Sequence, residues 1–408
     1  IKNADTKAII LIKKISFMKT DYLNLYSNLN EFEKIILQST KDWVNKHVRP
    51  KIEQSFISGV PLILKNELTD LGAFGSIFPE KYGGLDFNFL SYGLMMKELE
   101  KGDSSIRVAS SIQTSLVMNA IFSYGSEEQK LKYLPKLANG TIVGSFAMSE
   151  PSHGSDISNL KTKFKIVDEK IILNGSKLWI GNANTADISI VWAKNEENNI
   201  QAIVVETNNI TNFHSTTLEN KSSFRSSHTG ELFFDNSLIS VNQILPKANS
   251  IKDAYKCLNI GRYAVAWGAL GIAEECYETA LKFSLERTQF GEPIAAKQLI
   301  QKKLVDMITE ISKAQLLCFK IAELMDNNLV SFEQISMAKR NNVKIAQVIA
   351  KEARQILGGM GITHDYSIMR HMINLETLIT YQGTNEMHIL ITGRAVSYTH
   401  LRAHETTH

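Results

Sequence analysis

A mostly helical α+β fold, helical at both ends with a small β segment between, is what this sequence predicts. Apolar residues recur at helical spacing through 25–136 and again through 251–396. Between Ser145 and about Lys247 the period shortens to that of strands separated by Asn, Gly and Asp turns. Size is the third observation: 408 residues, 44% hydrophobic and 21% charged, are enough for a sizeable core shared among two or three domains. The formal net charge of +3 comes from interspersed Lys, Arg, Asp and Glu without a basic block, which argues against nucleic acid as a partner. No apolar run approaches the ~20 residues of a membrane span, so no membrane insertion is expected. Cys257, Cys276 and Cys318 lack the paired short spacing of a disulfide framework or a metal site, which suits a reducing compartment.

The first helical domain is expected over 25–144. Its apolar positions include Phe32, Ile35, Ile36, Trp43 and Val44, and its breaks fall at Pro50, Pro61 and Gly83-Gly84. A β domain, sandwich or barrel, is expected over 145–250, with strands at 170–175, 188–193, 201–206 and 231–235. The third domain, 251–397, reads as long helices over 262–287, 296–326 and 331–357, then 366–378 and 387–396 after a glycine break. The segments 1–17 and 398–408 break the pattern and are set aside as non-native extensions, with Met18 as the expected start; a mitochondrial transit peptide is the competing reading of the first. His400, His404 and His408 have the helical spacing of a metal site but fall in the second extension.

Several loops have the composition of ligand sites. Thr380-Tyr381-Gln382-Gly383-Thr384-Asn385-Glu386 joins two helices, and its glycine allows a tight turn beside a ligand. Arg107 precedes an apolar helix, where it either stands at the mouth of a partly buried helix or pairs with Asp103 in solvent. Phe146-Ala-Met148-Ser149-Glu150-Pro-Ser-His153-Gly-Ser155 offers backbone donors and small hydroxyls to an oxygen-rich ligand, with His153 a loop residue rather than a metal ligand. Trp179-Ile180-Gly181 ends a strand with an indole beside a glycine, either a stacking platform for a flat heterocycle or a core tryptophan. Arg287, Phe290 and the Gln355-Ile-Leu-Gly358-Gly359 turn supply the cation and bare amides that a pyrophosphate needs, although helix ends also use glycine.

In this order, the motifs resemble the acyl-CoA dehydrogenase family over nearly all of 25–396. The glutaryl-CoA branch is the most similar, through Cys257-Leu-Asn-Ile-Gly-Arg-Tyr-Ala-Val-Ala-Trp-Gly268, Gln298-Leu-Ile-Gln-Lys-Lys303 and Arg370-His-Met-Ile-Asn-Leu-Glu376. The resemblance implies a C-terminal four-helix bundle and FAD held noncovalently between the β domain and the C-terminal helices. It also implies an acyl-CoA substrate, an electron-transfer flavoprotein as electron acceptor, and a homotetramer or at least a homodimer. The compartment would be the bacterial cytoplasm, or the mitochondrial matrix in a eukaryote. Carried over, Phe146, Met148, Ser149, Ser155, Trp179, Ile180, Gly181, Arg287, Phe290, Gln298, Gln355, Gly358, Gly359, Thr384 and Glu386 belong to the FAD site, partly in trans. Arg107, Ser155, Asn259, Arg262 and Gly383 belong to the substrate site, with no metal.

The family's chemistry needs a general base for the α-proton of a thioester. Glutamate normally stands where this chain has Gln382; some relatives place it one residue before the arginine of the CoA-contact helix, where this chain has Gly261. Glu386 lies one helical turn beyond Gln382 and is the remaining nearby carboxylate in sequence. Gly181 replaces the usual Thr or Ser, as in some acyl-CoA oxidases, and Val108 replaces the serine that follows the arginine in glutaryl-specific relatives. Three functions therefore stand: a glutaryl-CoA dehydrogenase, an FAD- and acyl-CoA-binding homologue impaired by Gln382, and a short-chain acyl-CoA oxidase.

Overall fold

The computed structural model describes residues 20–397; the two extensions, with their three histidines, lie outside the described residues. The first helical region runs through α1 (Glu31–Trp43), α2 (Arg49–Ser58), α3 (Lys65–Asp70), α4 (Phe89–Gly102), α5 (Ser104–Ser111), α6 (Asn119–Tyr124) and α7 (Glu127–Ala138). Helix α1 starts on a capping box, Asn30 accepting from the Glu33 amide at 2.9 Å while Glu33 accepts from the Asn30 amide at 2.9 Å. Between α5 and α6 the chain widens into a π-helical stretch, Ile112–Met118, a geometry often found at functional sites.

The middle region holds β1 (Gly144–Ala147), β2 (Lys163–Val167), β3 (Lys170–Gly181), β4 (Ile188–Lys194), β5 (Ile200–Glu206), β6 (Phe213–Thr217) and β7 (Thr229–Ser240). They form one hydrogen-bonded sheet of seven strands in the order β1-β4-β2-β3-β7-β6, with β5 also on β4. The alternating or wholly apolar strands β3, β4, β5 and β7 match the four sequence expectations. Strands β1, β2 and β6 were not anticipated, because β1 has only four residues, only Phe164 is buried in β2 and β6 is a mostly polar edge strand.

The last region comprises α8 (Ile251–Glu286), a short hairpin of β8 (Thr288–Gln289) and β9 (Glu292–Pro293), then α9 (Gln298–Asp326), α10 (Phe332–Ile356), α11 (Ile368–Thr380) and α12 (Asn385–Ser397). Helix α8 has 36 residues, roughly 54 Å of helix, and is buried on nearly every side from Gly261 to Tyr277. It packs on α4 so closely that a β carbon at Gly93 would overlap the Trp267 indole. Opposite charges are sealed into this joint: Lys97 contacts Glu98 at 2.9 Å and Glu274 at 3.0 Å, and Lys101 reaches Glu274 at 3.0 Å. The first and last helical regions thus share one core, and the π-helical stretch, α6, α7 and the start of α8 pack on the sheet in a second.

Candidate active site

The turn between α11 and α12 is left-handed at two successive residues, Gln382 with φ 57° and Gly383 with φ 95°. Glycine suits 383 by its backbone, and a β carbon there would press on the His388 ring at 3.1 Å. The turn projects the Gln382 side chain onto α8 at Gly261, where an added β carbon would lie 3.1 Å from Gln382 Oε1 and 3.3 Å from Nε2. The two positions at which the resemblance places a base therefore meet in space, and a bare backbone at 261 makes room for the side chain at 382. Gln382 Oε1 is buried without a hydrogen-bond partner, as is Asn259 Oδ1 two residues before Gly261. Unsatisfied buried acceptors at a turn mark a surface that a polar ligand completes.

Arg262, expected on the substrate, is engaged with this turn: its Nε donates to the Gln382 carbonyl at 3.0 Å. Burial pulls its pKa down to about 10. Thr384 uses its hydroxyl as a helix cap, accepting from the Met387 amide at 3.3 Å. Glu386 is exposed in the first turn of α12, where hydrogen bonding to its own backbone amide and to Asn385 holds its carboxyl below the usual range. The sequence reading missed Lys339 and His388. Lys339 sits on the buried stripe of α10 with Ile335, Asn342, Val343 and Ala346, so a lysine on an apolar helix face was the available signal. His388 is buried against the backbone of the 382–383 turn, and burial pushes its pKa down to about 3, which keeps it neutral.

Arg107 is buried, which excludes the alternative of a solvated pair with Asp103. Its Nε donates to Glu100, its Nη1 to Ser111 Oγ at 3.0 Å and its Nη2 to the Tyr381 hydroxyl. Asp103 instead caps α5, accepting from the Ser105 amide at 2.8 Å, and is held by Arg370 at 2.5 Å and Asn374 at 3.0 Å. Arg107 is therefore aimed by its own neighbours at Tyr381, the residue next to Gln382, and its charge is matched by Glu100.

The residues assigned to FAD form two groups. On the sheet, a register shift between Leu178 and Ile180 puts Trp179 at φ 65° and leaves its indole 63% exposed, excluding the core alternative. Beside it, Ser149 donates from Oγ to the Leu178 carbonyl at 2.6 Å and its carbonyl accepts from the Leu178 amide at 3.0 Å. Lys177 braces the same loop, donating to the Met148 carbonyl at 3.0 Å and to Glu150 at 2.9 Å. Phe146, Met148 and Ile180 are buried beneath, while Ser155 is exposed on the following turn. At Gly181 a β carbon would overlap the Ile112 side chain, which gives the missing hydroxyl a packing reason.

On the helices, Arg287, Gly358 and Gly359 line one cavity of about 400 Å³, and nothing lies within 4 Å of a β carbon added at either glycine. Phe290 is 93% exposed, and Gln298 and Gln355 are exposed too, Gln355 accepting from Arg354. An exposed indole at the end of a strand suits a flat heterocycle, and an arginine beside bare glycine amides suits a pyrophosphate. The residues present fit a flavin dinucleotide. Among the described residues no group of three His, Cys, Asp or Glu could hold a metal ion, and no helix is long and apolar enough to cross a membrane.

Comparison with known proteins agrees with this geometry segment by segment. Residues 30–141 match the acyl-CoA dehydrogenase N-terminal domain, 145–237 its middle domain and 251–397 its C-terminal domain. An acyl-CoA dehydrogenase of Bacillus subtilis (strain 168) is 36% identical over 360 residues, covering 87% of this chain and 95% of its own. A glutaryl-CoA dehydrogenase of Mycobacterium smegmatis, solved in complex with FADH2, superposes with a TM-score of 0.89 at 38% identity, covering 93% of this chain and 97% of that one. The butyryl-CoA dehydrogenase of Megasphaera elsdenii superposes with a TM-score of 0.87 at 34% identity, covering 90% and 99%. With all three family domains matched in order and the turn, the indole and the glycine cradle in place, this chain belongs to the acyl-CoA dehydrogenase family.

Proposed function

We propose that this chain takes glutaryl-CoA as its preferred thioester, in a site whose base position is held by Gln382. As a family member it is an oxidoreductase acting on CH–CH bonds, with FAD as cofactor. When bound, FAD supplies the acceptor for the β-hydride of the acyl chain. The protein's own task is to seat the thioester, present residue 382, where a carboxylate but not an amide would take the α-proton, and hold the far end of the acyl chain. In the glutaryl-CoA reading, loss of carbon dioxide then gives crotonyl-CoA, and the electrons leave to an electron-transfer flavoprotein. The observation that carries the substrate choice is the hydrogen bond from Arg107 to Tyr381, which fixes a buried cation one residue from the base position. Glu100, Ser111 and Tyr381 occupy three of the five guanidinium N–H groups, leaving two for a substrate carboxylate. The cation is not unpaired, so its preference for a dicarboxylyl thioester rests on directed donors rather than on an uncompensated charge.

The exposed Phe290 and Arg287 support a homotetramer, or at least a homodimer, in which these residues reach a neighbouring subunit's FAD site. A second reading, an FAD- and acyl-CoA-binding protein that does not turn over, is favoured by the amide at 382, which has no useful proton affinity near neutral pH. Gly181 favours a third, an oxidase. Anaerobic mixing of the purified flavoprotein with glutaryl-CoA or butyryl-CoA, read at the flavin absorbance, separates these. The chain as it stands is expected to bind thioester, glutaryl-CoA more tightly, and to bleach slowly; Gln382→Glu is expected to bleach ~10²- to 10⁴-fold faster. Equal rates in the two proteins would move the base elsewhere. Turnover with oxygen rather than a dye acceptor would select the oxidase.

A further inference from the structure

Two buried cations grip three consecutive backbone carbonyls of the 381–383 turn. Lys339 donates from Nζ to the Tyr381 carbonyl at 3.0 Å and to the Gly383 carbonyl at 2.8 Å. Arg262 takes the carbonyl between them, that of Gln382, at 3.0 Å. These oxygens follow directly on the C-terminus of α11, where carbonyls lack helical partners and the helix dipole is negative, so cations are favoured there. Lys339 is only 1% exposed, and among the described residues neither cation forms an ion pair. An ammonium buried without a carboxylate is costly, yet here it sits where the backbone is held left-handed by Gln382, a side-chain-bearing residue. The carbonyls are held on one side of the turn while the side chain of residue 382 meets Gly261 on another element.

We propose that Lys339 is a positioning residue for the base position: its two hydrogen bonds fix the left-handed turn that aims residue 382 at α8, and its charge, with that of Arg262, lowers the proton affinity of a carboxylate placed at 382. This rests on the reading of 382 as the base position. The charged and titratable groups around Lys339 are Arg262 from α8, Tyr381 from the turn after α11, and Glu386 and His388 from α12. Burial, then Arg262, pulls the Lys339 pKa down to about 7, with Glu386 opposing. The cationic form therefore holds the turn most strongly below neutral pH.

The test uses the FAD-loaded full chain, as it stands and with Gln382→Glu, each carrying Lys339→Met or Lys339→Gln. Amide hydrogen exchange at 381–388 needs no turnover and is expected to rise at least about tenfold in Lys339→Met. In the Gln382→Glu protein, the acid limb of the pH profile for flavin reduction by glutaryl-CoA is expected to move up by about one pH unit in both Lys339 variants, because a nearby positive charge is gone. Lys339→Gln keeps a donor and should exchange more slowly than Lys339→Met. Should Lys339→Met fail to fold, Lys339→Gln still reads the charge through the pH limb. Parent-like exchange in Lys339→Met, or an unmoved acid limb in a folded variant, overturns the proposal. If Gln382→Glu itself fails to accelerate bleaching, the base assignment falls, while the exchange rates still decide whether Lys339 holds the turn.

Discussion

Residue 382 stands between two groups of buried cations that the fold treats in opposite ways. On the α5 side, Arg107 is matched by Glu100 and braced by Ser111 and Tyr381. On the α10 side, Lys339 and Arg262 are turned onto backbone carbonyls and form no ion pair among the described residues. The first group is a closed electrostatic unit whose role is direction. The second is an open one, short of a negative charge at the position where the chemistry needs a carboxylate. The difference is in keeping with the proposal that a carboxylate at residue 382 would complete the second group.

The largest effect expected from breaking this asymmetry comes from moving the base across the Gly261–Gln382 contact. Gly261→Glu combined with Gln382→Gly should put a carboxylate into the same space from α8 and speed anaerobic flavin bleaching by glutaryl-CoA ~10²-fold over the unaltered chain. Gly261→Glu alone has to share that space with the Gln382 amide, 3.1 Å from the new β carbon, and should gain far less. Comparable rates from the single and double variants would mean that the two positions do not compete.

Disrupting the closed unit should act first on stability. Arg107→Ala leaves Glu100 buried without its partner and should cost about 3–5 kcal/mol, measured by denaturant unfolding of the FAD-loaded protein. Replacing Arg107 and Glu100 together by methionine should recover most of that loss while abolishing the preference for glutaryl-CoA over butyryl-CoA in binding titrations. Full preference in the folded double variant would remove Arg107 from substrate selection.

The smallest effect belongs to Glu386. Its carboxylate is exposed and already committed to the start of α12, so Glu386→Gln in the Gln382→Glu protein should change the bleaching rate by less than about twofold. A drop comparable to that from losing the residue 382 carboxylate would make Glu386 the acting base.

The limits of sequence reading show in particular elements. Helix α8 begins at Ile251, eleven residues before the expected start at 262, because its first turns are only half buried and carry Lys252, Asp253 and Lys256 among the apolar positions. Trp179 was a stacking platform or a core residue on pattern alone; the register shift in β3 decided for exposure. Lys339 on the apolar face of α10 signals a buried lysine, but what it bonds follows only from the packing of α10 against the 381–383 turn.

The order of helical, β and helical segments is legible in the residues alone, because periodicity is a local property that survives without knowledge of partners. So are the chemical types at the motif positions, including the amide at 382 and the bare backbone at 261, because chemistry resides in the residue. Which groups meet follows from packing: Arg107 with Glu100 rather than Asp103, Arg262 and Lys339 with the turn, Gln382 with Gly261. Those partners lie up to 274 residues apart, as Arg107 and Tyr381 do, and their pairing follows from how α4, α5, α8, α10 and α11 pack. Burial then fixes the consequence, since the same arginine or lysine is a solvated charge at the surface and a directed hydrogen-bond donor in the core.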